Sequence, residues 1–113
     1  MSSSTILQDG YKLVFFTPPQ DLEKIKSSIF ATGAGTVGQY TEVCFTTPGV
    51  GQFKPGSAAK PALGQPGQKE EVGEVRCEIR CQGREQAKQA VAALKGSHPY
   101  EEVAYEVYKV EDL

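Results

Sequence analysis

Apolar residues in this chain recur at two periods, and the order in which those periods alternate limits the folds open to it. A period of two marks a strand and a period of about 3.6 marks a helix. "YKLVFF" (Tyr11–Phe16) predicts a first strand that is apolar on both faces and stops at Pro18–Pro19. From Gln20 to Thr32, Leu22, Ile25 and Ile29 recur at i, i+3 and i+7, which predicts an amphipathic helix with Asp21 near its positive end. The glycines of "TGAGTVGQY" end it. "YTEVCFTT" (Tyr40–Thr47), rich in β-branched and aromatic residues, predicts the second strand. The third, Val72–Gln82, alternates cleanly, with Val75, Cys77, Ile79 and Cys81 on one face and Glu74, Arg76, Glu78 and Arg80 on the other. "REQAKQAVAALKG" predicts a second helix on the stripe Ala87, Ala90, Val91 and Leu94, closed by Gly96. Val103–Val110 is the last strand.

The order β-α-β-β-α-β fits an α+β, ferredoxin-like arrangement: one four-stranded antiparallel sheet with both helices on one face. At 113 residues the chain is one domain, expected over 11–113 behind a flexible tail at 1–10. Such a fold leaves one sheet face open. Here the first strand is apolar on both sides, and the last sets Val103, Tyr105 and Val107 against Ala104, Tyr108 and Val110. That much apolar surface predicts cover by another subunit. The charged face of the third strand argues the other way, as a solvated face or as a ladder of interchain ion pairs.

Net charge is −2 and no basic run is present, which argues against nucleic acid as a partner. No apolar stretch approaches the length of about eighteen residues that a membrane span needs. The start, "MSSSTILQDG", does not read as a secretion signal. Three cysteines, Cys44, Cys77 and Cys81, are an odd set and fit a cytoplasmic chain without disulfides. Cys77 and Cys81 read as buried small hydrophobes, with a zinc pair as the competing reading.

Two stretches carry candidate chemistry. Pro48–Gln68, dense in glycine and proline, predicts a loop of about twenty residues, a length that in compact domains marks function or mobility. Gly49, Gly51 and Gly56 allow close backbone approach to a ligand, Lys54 can meet an anion, and Phe53 is an apolar anchor. Packing alone is the competing reading of that loop. "GAGTVG" (Gly33–Gly38) lacks the spacing and the strand-to-helix setting of a dinucleotide loop, and is read as a helix stop. In "SHPYEE", Pro99 restricts His98, the only histidine, to extended backbone. Tyr100 offers a ring and a hydroxyl, and His98, Glu101 and Glu102 offer donors that suit zinc or copper. A hydrogen-bonded corner is the other reading. Glu101 and Glu102 are adjacent and so diverge in a strand, and no Ser-His-Asp set is present. No catalytic constellation is found.

Taken together, "FFTPPQDLEKIKSSIFATGAGTVGQYTEVCFTTPGVGQFKPG", "VGEVRCEIRC" and "AALKGSHPYEEVAYEVY" resemble the insertion domain of YqfO-type proteins, in the NGG-interacting-factor-like (NIF3-like) family. The resemblance runs from about Tyr11 to Tyr108. That domain is similar in fold to the trimeric PII and CutA proteins, which implies a homotrimer and a 48–68 loop that reaches ligands and protein partners. The family's larger flanking domain, with its metal ligands, has no counterpart here, so the resemblance implies a stand-alone insertion domain without the parent activity. The expectation is a non-catalytic, cytoplasmic, trimeric module that binds a small ligand or a divalent ion, zinc or copper, with a regulatory loop. Ligand contacts are expected from Gly49, Gly51, Phe53, Lys54, Gly56 and Tyr100, and metal contacts from His98, Glu101 and Glu102. A metal-dependent hydrolase and a purely structural oligomerisation domain are the alternatives.

Overall fold

Strand β1 (Gly10–Thr17) lies inside a four-stranded antiparallel sheet, in a computed structural model that describes residues 9–113. The remaining elements are α1 (Leu22–Phe30), β2 (Phe45–Phe53), β3 (Glu70–Gln82), α2 (Arg84–Ser97) and β4 (Tyr105–Val110). The strand order is β2-β3-β1-β4, with the first and third strands at the centre. The tail expected at 1–10 lies outside the described residues as far as residue 8, and Gly10 is already paired, opposite Gln82 and Val110.

Both helices pack on one sheet face. Leu13, Phe15, Cys77, Ile79 and Cys81 from the sheet meet Ile25 and Ile29 of α1 and Ala87, Ala90 and Leu94 of α2 in one buried cluster. Each large side chain fully removed from water there contributes about 1.5–3 kcal/mol. The narrow alanine stripe of α2 lets that helix lie close to the sheet. The two strand thiols are free and buried, and burial pushes the Cys77 thiol up to about 12. They act as small hydrophobes.

The first helix is shorter than the predicted span. Pro19–Asp21 forms a single 3-10 turn and α1 begins at Leu22. Its exit is a glycine turn. Gly33 and Gly35 have φ of +92° and +83°, and a side chain at Gly35 would meet the Phe30 ring and the Val43 carbonyl. The Gly35 N–H donates to the Arg80 carbonyl at 2.8 Å, so this turn is stitched to β3.

The bounds of the later strands, except the ends of β3 and β4, and of the loop differ from those expected from the sequence. The second strand was expected over Tyr40–Thr47 and the loop over Pro48–Gln68. Instead β2 starts at Phe45 and runs to Phe53, paired with β3 down to Phe53 opposite Glu70. Tyr40 sits in a tight turn, exchanging main-chain hydrogen bonds with Val37. Cross-strand hydrogen bonding overrides the weak strand propensity of "PGVGQF", and Pro48 is tolerated because β2 is an edge strand. The loop proper is therefore 54–69. β3 extends to Glu70 for the same reason, and β4 starts two residues later than Val103.

The open face carries Lys12, Val14 and Phe16 of β1, Arg76 and Glu78 of β3, Phe45 of β2 and Tyr108 of β4, placed together by register. Val14 is fully buried among them, while Phe45 is 65% and Tyr108 49% exposed. Glu78 pairs within the chain, with Arg76 at 3.2 Å and Lys12 at 3.4 Å, and the Arg76 hydrogen bond holds its carboxyl below the usual range.

Candidate functional site

The corner after α2 is built from main-chain geometry. Pro99 follows His98, which has extended backbone (φ −83°, ψ 141°), and the helix ends there with the His98 N–H on the Leu94 carbonyl at 3.0 Å. The ring turns inward. Its Nε2 lies 2.7 Å from the Phe16 carbonyl oxygen, and the Tyr100 N–H donates to its Nδ1 at 3.1 Å. A nitrogen that accepts carries no proton, so the proton is on Nε2, which donates to Phe16. His98 is 9% exposed within the single chain, and both ring nitrogens have partners.

The carboxylates of the corner point elsewhere. One oxygen of Glu101 accepts the Lys60 main-chain N–H at 3.0 Å, tying the 54–69 loop to the corner. His98, Glu101 and Glu102 are thus not gathered into one donor set, and among the described residues no cluster of three His, Cys, Asp or Glu side chains could hold a metal ion.

The loop and the corner instead enclose a cleft of about 370 Å³. Of the residues expected to touch a ligand, Phe53, Lys54, Gly56 and Tyr100 line it, together with Glu101 and Glu102. Gly49 and Gly51 line a smaller neighbouring cleft of about 280 Å³ with Phe16 and Arg76. Glu74 forms part of the wall of both. A Cβ at Gly51 would run into the Glu74 carboxylate, so the missing side chain there gives that carboxylate its room. No close neighbour constrains Gly49 or Gly56.

The walls of the larger cleft are mainly apolar: Pro55, Ala59, Pro61, Ala62, Leu63 and Ala104. The Phe53 and Tyr100 rings stand 6.3 Å apart, tilted by 51°. The Tyr100 hydroxyl is buried and has no partner within hydrogen-bond geometry among the described residues; the Glu74 carboxylate lies near it, outside that geometry. Burial, and then the Glu74 carboxylate, push it up to about 12, so it stays a neutral O–H across the physiological range. The sequence reading missed Glu74, Pro61, Leu63 and Ala104. Glu74 was legible only as one member of the polar face of β3, and nothing local tied it to Tyr100.

No protein-family model matches the chain. It is 40% identical over 116 residues to the GTP cyclohydrolase 1 type 2 homolog of Bacillus subtilis (strain 168), a match that covers 98% of this chain and 31% of that protein. The chain therefore spans between 25% and 31% of the length of the curated relatives it matches. Among solved structures, a Bacillus cereus protein related to NIF3 superposes at a TM-score of 0.82 with 32% identity, covering 96% of this chain and 27% of that one. The periplasmic divalent cation tolerance protein CutA from Archaeoglobus fulgidus superposes at 0.66 with 13% identity, covering 91% of this chain and 85% of that one, a likeness of fold alone. The chain is thus a relative of one segment of the YqfO/NIF3-type proteins, and it carries their PII/CutA-like, ferredoxin-like α+β fold.

Proposed function

We propose that this chain is a non-catalytic, trimeric binding module that holds a small ligand in the cleft between the 54–69 loop and the 98–104 corner. The observation that carries the reading is the buried, unpartnered Tyr100 hydroxyl at a 370 Å³ cleft of apolar walls. That size falls in the range of small-molecule sites, and a few polar groups on an apolar wall are how such sites orient a ligand. A buried hydroxyl without a partner costs about 1–3 kcal/mol, which a ligand atom at that position would recover.

Self-association is supported by Phe45 and Tyr108, exposed on the open face beside half-buried Phe16. The loop, held to the corner by the Glu101–Lys60 bond, is the segment that would report occupancy to a protein partner. A cytoplasmic setting fits the free thiols, and no helix among the described residues is long and apolar enough to cross a membrane. A zinc or copper site at His98 would require the imidazole to give up one of its two hydrogen bonds, so the organic-ligand arm of the reading is the one adopted.

The test is a nuclear magnetic resonance screen of the labelled protein against a mixed library of small polar and apolar compounds. Binding should move the amides of Phe53, Gly56, Tyr100 and Ala104 together. Hits that scatter over the surface, or none at all, would sink the reading.

A further inference from the structure

We infer that the cleft selects a small organic ammonium ion carried on an apolar body, a deepening of the ligand-binding reading that rests on it. Three features of the wall converge on this chemistry.

The first is charge. Glu74, Glu101 and Glu102 face the cleft against one cation, Lys54, which is exposed. Neither Glu74 nor Glu102 is in an ion pair among the described residues. Glu101 uses one carboxylate oxygen on the Lys60 N–H and keeps the other. An entering anion meets net repulsion, while a cation meets net attraction.

The second is the hydroxyl. Tyr100 Oη is buried without a partner near the Glu74 carboxylate. A hydroxyl oxygen has two lone pairs and accepts from an N–H, so an ammonium can bond Tyr100 and a carboxylate at once. The third is the pair of rings. Phe53 and Tyr100, tilted by 51°, form an aromatic corner, and cations are attracted to aromatic faces. The apolar remainder, Pro61 and Leu63 included, suits the hydrocarbon part of the ligand. A metal ion lacks that body and would leave the apolar wall unused.

The experiment uses three size-matched probes: phenethylamine, 3-phenylpropionate and 2-phenylethanol. Each is titrated into the full chain at neutral pH by calorimetry, with amide shifts recorded in parallel. Phenethylamine should bind about tenfold more tightly than phenylpropionate, shift Phe53 and Tyr100, and weaken as salt is added. Glu102→Gln, on an exposed side chain that leaves folding intact, should cut phenethylamine affinity by about threefold and leave the alcohol unchanged. Glu74→Gln should do the same from inside the cleft. Equal or tighter binding of phenylpropionate at the cleft overturns the charge inference and leaves the ligand cleft standing. Phenethylamine binding that ignores both substitutions overturns it as well. If no probe moves the cleft amides, both the inference and the reading beneath it fail.

Discussion

The imidazole of His98 donates from Nε2 to the main-chain carbonyl of Phe16 at 2.7 Å, joining the end of α2 to the end of β1. The Tyr100 N–H fills Nδ1, and the Phe16 N–H donates to the Ala104 carbonyl at 3.3 Å. The corner that follows α2 is therefore held to the sheet by a side chain and by backbone, and this places Tyr100 at the cleft. In the proposed reading His98 is a positioning residue that holds Tyr100 at the cleft.

Replacing His98 by alanine should lower stability by about 2 kcal/mol, because two part-buried hydrogen bonds are lost and the Phe16 carbonyl loses this partner. Urea denaturation measures this, and the loss should be the same with or without Zn²⁺. Calorimetric titration with Zn²⁺ and Cu²⁺ should give equal affinities for the wild type and His98→Ala. A weaker variant would return His98, with Glu101 and Glu102, to the list of metal ligands.

Tyr100 predicts an alkaline signature. Its folded pKa is pushed up to about 12 from an ordinary 10.0, so the folded chain holds the phenol proton more tightly than the unfolded one. The associated stability is fully present below pH 10 and drains as pH rises through 12. An ultraviolet phenolate titration should show a late component that Tyr100→Phe removes, and the variant should lose less stability across that window. A Tyr100 that titrates at its ordinary value would mean that the hydroxyl is wet.

Oligomeric state tests the open face. Light scattering at micromolar concentration should give three chain masses. Phe45→Asp should bring this to one while leaving the helical circular dichroism unchanged, since Phe45 is exposed within a single chain and a charge is costly only once an interface covers it. A wild-type monomer at that concentration would end the trimer reading.

The 54–69 loop should be dispensable for folding and needed for binding. Closing the β2–β3 hairpin with a short turn changes loop entropy only weakly. Thermal unfolding of that variant should stay within a few degrees of the wild type, while the response of the Tyr100 amide to cleft ligands should disappear. A variant that fails to fold would make the loop part of the core.

Much of the architecture was legible because periodicity is a local property. The alternation of Val75, Cys77, Ile79 and Cys81 and the spacing of Leu22, Ile25 and Ile29 state which face is buried, whatever lies opposite. The extended backbone of His98 was equally legible, since a following proline imposes it sterically. The course of β2 was not. In "PGVGQF" the proline and two glycines outweigh the strand preference of Val50 and Phe53, and its hydrogen bonds come from β3, which lies beyond the loop.

By itself, then, the sequence determined the order of elements, the composition of the core and the turn that starts at Pro99, because each depends on residues a few positions apart. Only the tertiary structure decided what the side chains of the corner do. It brought the Phe16 carbonyl to His98 across 82 positions and so engaged the ring of the only histidine in a hydrogen bond within the chain. It also set Glu74 of β3 near the buried Tyr100 hydroxyl and folded Lys60 onto Glu101. Partners for buried polar atoms are chosen by long-range packing, and no local pattern of residue types encodes that choice.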